Sequence, residues 1–177
     1  MKKQQIIIFE GVDMCGKTEI SKKLSKKLKI PRFKAINEHD VFLDKKDKFL
    51  HHLRYADPRV VDLLGQTKQS IIFDRTYPSE YVYSQILNRQ SDFASLRFVD
   101  DEYAKLDTKI IICKRKSYCG IQDDLDSSIN EEVLTKLDKM YDEFATWTKC
   151  KVLKLYVDDE NLKREIKEIL EFINVKN

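Results

Sequence analysis

The chain of 177 residues is short of glycine, cysteine and unbalanced charge, and each shortage narrows what it can do. No apolar run approaches the roughly 18 residues that a membrane-spanning helix needs. Met1, Lys2 and Lys3 lead into only a brief apolar stretch before Glu10, so neither a signal peptide nor an anchor is expected. The four cysteines (Cys15, Cys113, Cys119 and Cys150) show no C-x-x-C or Cys/His metal spacing. A chain of this size needs no disulfide staples, and the pattern predicts a reducing, cytoplasmic setting. Thirty-three basic residues face 30 acidic ones, a net charge of +3, so the overall footprint of a nucleic-acid-binding protein is missing.

Apolar residues make up 42% and charged residues 36%, a balance that suits one folded domain, residues 1–177, around a single core. Short apolar runs at residues 6–9, 33–36, 70–73, 109–113 and 151–157 alternate with helix-like stretches. That alternation predicts an α/β fold with a parallel sheet of about five strands flanked by helices. Ile20, Leu24 and Leu28 recur every four residues through Lys22, Lys23, Lys26, Lys27 and Lys29. The lysines therefore read as the solvent face of an amphipathic helix rather than as a stripe for polyanions. Ser128-x-x-Glu131 predicts a capping box ahead of a helix reaching about Trp147. Asp158 and Asp159 precede an amphipathic C-terminal helix, Pro58 should break or kink a helical region over 45–66, and residues 114–127 read as a polar loop.

Gly11-Val12-Asp13-Met14-Cys15-Gly16-Lys17-Thr18 fits G-x-x-x-x-G-K-[ST] and lies between the first apolar run and the first periodic helix. A phosphate-binding loop requires that context. Glycines let successive N–H groups turn around a phosphate, and the following helix points its positive end at the same anion. These eight residues are the candidate ATP-binding set, with Lys17 between the β and γ phosphates and the Thr18 hydroxyl offered to Mg²⁺. No Asn-Lys-x-Asp base-reading motif is present, and ATP-driven machines usually need a longer chain, so a small kinase fits best.

A second segment, Ile71-Ile72-Phe73-Asp74-Arg75-Thr76-Tyr77-Pro78-Ser79, also leaves a strand end. Open parallel sheets bind ligands beyond the carboxyl ends of their strands, which sets Asp74 and Arg75 across one crevice from the loop. An arginine fork there suits the electrostatic work of phosphoryl transfer.

With both segments in place, the chain resembles the thymidylate kinase family. Phe9 through Thr18 looks like that family's opening, with an acidic residue inside the loop, and Asp74-Arg75 followed by Ser79 looks like its Asp-Arg-Tyr segment. The resemblance implies a three-layer P-loop kinase fold with a short lid near 114–127, Mg-ATP as donor, and a nucleotide or nucleoside acceptor. It assigns Asp13 to an acceptor sugar hydroxyl, and Arg75 to the acceptor phosphate and the migrating phosphoryl group. Asp74 joins Thr18 around magnesium, and Tyr83 stands beside the acceptor. His52-Leu53-Arg54-Tyr55-Ala56-Asp57-Pro58-Arg59 falls where the family carries a base-stacking ring and a phosphate-binding arginine, which makes Tyr55, Arg54 and Arg59 candidates. A homodimer is implied by the resemblance alone.

Two departures matter. Asn37-Glu38-His39-Asp40 keeps a glutamate but lacks the neighbouring proline and arginine with which the family grips an acceptor phosphate. Glu38 also resembles the catalytic base of deoxyribonucleoside kinases. The lid opens with Lys114, Arg115 and Lys116 but turns acidic at Asp123, Asp124 and Asp126, leaving Arg115 as the candidate catalytic cation. The leading expectation is a nucleoside monophosphate kinase. A kinase of nucleosides, or of a hydroxylated base either free or within DNA, comes second, and a noncatalytic nucleotide-dependent regulator third.

Overall fold

Ile6, Ile7, Ile8 and Phe9 are all shielded from solvent, as a strand covered on both faces must be, and a continuous apolar run suits that place. They form β1 (Ile6–Glu10), the middle strand of a five-stranded parallel sheet with β2 (Arg32–Lys34), β3 (Ile71–Asp74), β4 (Lys109–Lys114) and β5 (Lys151–Tyr156). The computed structural model describes residues 3–34, 52–86, 88, 90–121 and 130–173. The strand order is β2-β3-β1-β4-β5, with Ile6 beside Ile71 on one side of β1 and Ile7 beside Lys109 on the other. Chain connections leave β1 in opposite directions along the sheet, so a crevice opens at its carboxyl end.

Six α-helices flank the sheet among the described residues: α1 (Lys17–Leu28), α2 (Asp57–Thr67), α3 (Tyr77–Ile86), α4 (Phe93–Lys105), α5 (Glu131–Trp147) and α6 (Leu162–Ile173). Helix α1 packs with α6, while α3 packs with both α4 and α5, and α2 with α4. None of the described helices is long and apolar enough to cross a membrane. The three-layer α/β architecture expected from the alternating runs is the one observed.

Local chemistry explains the element ends. On α1, Ile20 and Leu24 are buried and Lys22, Lys23, Lys26 and Lys27 exposed, as the four-residue period predicts. Pro58 lies in the first turn of α2, where a missing N–H costs nothing, and a π-helical turn over His52–Ala56 leads into it. The start of α5 differs from the expected capping box. Asn130 is the cap, its side chain accepting from the Val133 N–H at 3.1 Å, and Ser128 lies outside the described residues. Asn161 likewise caps α6, accepting from the Arg164 N–H at 3.1 Å, while Asp159 pairs with Arg164 at 2.9 Å.

Lys114 is a second difference. The basic run 114–116 places it in the lid, but it ends β4, almost fully buried, with its ammonium 2.8 Å from both Asp138 and Asp142 of α5. Alternation along β4 turns it inward while Arg115 leaves the strand. Of the loop expected over 114–127, Lys114 thus belongs to β4, and Asp123, Asp124 and Asp126 lie outside the described residues.

An aromatic cluster sets α3, α4 and α5 against one another. Tyr77 stacks on Tyr103 with centroids 5.5 Å apart, Phe144 meets Tyr77 edge-on at 6.0 Å, and Trp147 meets Phe144 at 4.9 Å. Such pairs add about 0.5–1.5 kcal/mol each beyond their burial. Asp100 is buried beneath them, accepting from the Tyr77 hydroxyl at 2.6 Å and the Lys149 N–H at 2.8 Å. The packing fixes α3 and α5 relative to the end of β1.

Candidate functional site

Gly11 follows β1 with φ 127°, and a Cβ there would lie 2.2 Å from the carbonyl oxygen of Cys113 on β4. Only glycine allows that approach. Met14 and Gly16 also take positive φ, at 61° and 64°, and the chain curls before α1 begins at Lys17. Gly16 is the N-cap and supplies no side-chain cap; its carbonyl takes the Glu19 N–H at 3.0 Å, and the Lys17 and Thr18 amides ahead of it are the donors that such a helix start offers an anion. Lys17 bends back over this loop to the Val12 carbonyl. Burial, helped by Arg75 and opposed by Asp13, lowers its ammonium pKa to about 8.

Across the crevice, β3 ends at Asp74, and Arg75 turns the chain with φ 72°, a left-handed conformation that costs a residue with a Cβ about 1–2 kcal/mol. The Arg75 N–H donates to the Phe9 carbonyl at 3.0 Å, tying the turn to β1. Its guanidinium pairs with Asp13 at 2.5 Å and lies 5.1 Å from the Tyr83 ring centre. The Tyr83 hydroxyl donates to the other Asp13 oxygen at 2.8 Å. Burial works to raise the Asp13 pKa, but Arg75, Lys17 and Tyr83 together hold it below the ordinary carboxylate value.

The Thr18 hydroxyl donates to Asp74 at 2.8 Å. Arg32 reaches the same carboxylate while its Nε donates to Ser21 at 2.8 Å. The Thr18 hydroxyl and the Asp74 carboxylate put two hard oxygen donors at one mouth, a pair whose chemistry fits magnesium. That ion keeps most of its shell for water and phosphate.

Arg115 lies against the loop, its Nε donating to the Met14 carbonyl at 3.2 Å and its fork 3.5 Å from Glu160. Tyr118 lies beneath it. The Tyr118 hydroxyl accepts from the Arg115 N–H at 3.3 Å, donates to Asp138 at 2.9 Å, and lies 3.8 Å from the Cys15 sulfur.

Asp13, Lys17, Thr18, Asp74, Arg75, Tyr83 and Arg115 thus converge on the loop. Arg54 is engaged elsewhere, 2.6 Å from Asp92, which caps α4 by accepting from the Ser95 N–H. Tyr55, in the π-helical turn, and Arg59, in the first turn of α2, are both exposed. Glu38 lies outside the described residues.

No protein-family model matches this sequence, and no curated protein sequence matches it. Solved structures do match. Thymidylate kinase from Ehrlichia chaffeensis has a TM-score of 0.66 at 14% identity, over 98% of this chain and 100% of its own. This chain has the fold of a P-loop nucleotide kinase. The YorR protein of Bacillus subtilis, solved in complex with phosphorylated GDP, gives a TM-score of 0.72 at 21% identity over 97% of this chain and 96% of its own. Deoxyadenosine kinase from M. mycoides gives 0.59 at 24% identity, over 97% and 100%.

Three residues of this mouth carried no role in the sequence reading. Glu10 is fully buried at the end of β1, Tyr141 is buried on α5, and Ser79 stands on α3 beside both. Glu10 accepts from the Thr76 N–H at 2.8 Å, the Ser79 hydroxyl at 2.7 Å and the Tyr141 hydroxyl at 3.0 Å. A charged residue ending an otherwise apolar strand is the signal that could have revealed it. Tyr141 gives no such sign, because helical periodicity predicts its burial but not the direction of its hydroxyl.

Proposed function

We propose that this chain transfers the terminal phosphoryl group of ATP to a nucleoside monophosphate, as thymidylate kinases do. The observation that carries the reading is the convergence of the Gly11-to-Thr18 cradle and the Asp74-Arg75 turn on one mouth, joined by the Thr18–Asp74 and Asp13–Arg75 contacts. The loop amides and Lys17 would hold the donor phosphates, with Arg115 beside them. Thr18 and Asp74 would hold magnesium, whose charge would offset that of the donor phosphates. Arg75 would stabilise the migrating group and hold the acceptor phosphate, while Asp13 and Tyr83 orient the acceptor sugar. Such chemistry needs positioning and charge more than covalent help from the protein.

A nucleoside acceptor is the second reading. The segment Asn37-Glu38-His39-Asp40 favours it, because it lacks the proline and arginine with which the resembled family grips an acceptor phosphate. The deoxyadenosine kinase likeness is compatible with either acceptor. A homodimer accompanies the first reading through the family resemblance alone, and the cysteine pattern suits a reducing cytoplasm.

The test mixes the protein and Mg-ATP with panels of nucleosides, nucleoside monophosphates and DNA oligonucleotides, and follows ADP release and the labelled product. Phosphate on a monophosphate and not on a nucleoside supports the proposal. Transfer to nucleosides selects the second reading, transfer to an oligonucleotide a base kinase, and ATP binding without transfer a regulator.

A further inference from the structure

Arg75 offers one guanidinium nitrogen to two hydroxyls, Ser79 at 3.1 Å and Tyr141 at 3.3 Å. Each hydroxyl owns a single proton. Both direct it at the same Glu10 oxygen, Ser79 from 2.7 Å and Tyr141 from 3.0 Å. Because an ionised carboxylate only accepts, this arrangement turns the lone pairs of both hydroxyls toward the cation. The other Glu10 oxygen takes the Thr76 N–H at 2.8 Å, immediately after the left-handed residue Arg75. One buried carboxylate therefore fixes both the backbone turn that carries Arg75 and the side-chain cradle that aims it.

We infer that Glu10 is a positioning residue for Arg75, acting through Ser79 and Tyr141. It rests on the kinase reading only where turnover is the measure. The donors to Glu10 are Thr76 and Ser79, which follow Arg75 in the chain, and Tyr141 on α5, which also accepts from Arg75. Replacing it with an amide keeps the shape but supplies N–H donors where the hydroxyls need an acceptor. The hydroxyl protons would then compete for the space facing Arg75, and the guanidinium would lose its fixed direction. Asp13 would still pair with the fork, so the cation would remain in the mouth without being aimed.

The experiment compares the full chain with Glu10→Gln, Tyr141→Phe, Arg75→Ala and the Glu10→Gln/Arg75→Ala pair. Turnover, Mg-ATP affinity and the hydrogen-exchange rate of the Arg75 Nη–H groups by NMR are measured. Glu10→Gln is expected to lower turnover about a hundredfold, the scale on which small misplacements act, with ATP affinity within about threefold. In the Arg75→Ala background the same change should cost almost nothing more. Tyr141→Phe keeps the buried ring and should give a smaller loss in the same direction, which preserves the test if Glu10→Gln does not fold. Equal losses with and without Arg75, or unchanged Nη–H exchange in both Glu10→Gln and Tyr141→Phe, would overturn the inference. If no acceptor is phosphorylated by the unaltered chain, the kinase reading fails. Faster Nη–H exchange in Glu10→Gln would still support Glu10 as the residue that holds Arg75.

Discussion

Asp13 and Arg75 form an ion pair 2.5 Å long between residues 62 positions apart, one in the loop after β1 and the other in the turn after β3. Both groups are partly screened from water, and Tyr83 holds the second carboxylate oxygen. On the proposed kinase reading, the pair would set a fixed negative charge toward an acceptor hydroxyl and a cation toward the migrating phosphoryl group.

Asp13→Asn tests that arrangement. The amide oxygen can still accept from Tyr83, but the charge that steadies Arg75 is gone. Turnover should fall about tenfold to a hundredfold, toward the range seen when a preorganised electrostatic partner is removed. ATP affinity should change by no more than about threefold, since the loop amides are untouched. Steady-state kinetics with calorimetric ATP binding separates the two, and full turnover would remove Asp13 from the chemistry.

Lys17 supplies a pH prediction. With its pKa lowered by burial to about 8 in the free protein, the ammonium is partly neutral at mildly alkaline pH, and a bound triphosphate favours the charged form. ATP affinity should be highest below pH 8 and decline as pH rises through that value, with proton uptake on binding near pH 8.5. Calorimetry in two buffers of different ionisation enthalpy reads the uptake directly. Lys17→Ala should abolish the pH dependence and lower turnover at least a hundredfold with the fold intact.

The sequence conveyed most of the frame because the strands are buried on both faces and read as continuous apolar runs, and because α1 joins a phosphate-loop motif to a clean four-residue period. What it hid depended on direction rather than type. Ser128 and Asn130 are both capable caps, and only the backbone path chooses Asn130. Lys114 sits in a basic run, and strand register turns it inward. Arg54 has the right chemistry for a phosphate grip but is committed to Asp92. Tyr141 and Ser79 belong to the mouth through contacts with Glu10 that join residues as many as 131 positions apart, which no local pattern encodes.

Gly11 gives a stability prediction free of catalysis. The Cβ of Gly11→Ala would meet the Cys113 carbonyl at 2.2 Å, at a φ of 127° that alanine resists. Backbone surrounds the contact, so no side chain can yield. The substitution should destabilise the chain by about 3 kcal/mol or more, within the range for strain at a special backbone position. Gly120 has φ 73° but nothing within 4 Å of a Cβ, so Gly120→Ala should cost only about 1 kcal/mol. Urea unfolding of both variants checks the contrast, and equal losses would refute the packing argument.

Lys114 should matter for stability between two pH limits. Its ammonium is 4% exposed and bridges Asp138 and Asp142, while Asp142 is 45% exposed and also 2.7 Å from Lys154. Breaking a fully buried pair costs about 3–5 kcal/mol, and solvent at Asp142 reduces that, so Lys114→Met should lose about 2 kcal/mol near pH 7. Burial opposes the charge on Lys114, but the two carboxylates outweigh it and raise the pKa. Stability from that source is complete below the unfolded lysine value of about 10.4 and lost as pH rises through the folded one. Burial likewise opposes the charge on Asp142, but Lys114 and Lys154 hold its pKa below the ordinary value. That contribution is complete above about pH 3.9 and lost as pH falls through the folded value. The difference between the parent and Lys114→Met should therefore be largest between about pH 5 and pH 9 and shrink at both ends. Urea unfolding across that range measures it, and a difference independent of pH would assign the loss to packing of the lysine stem instead of its charge.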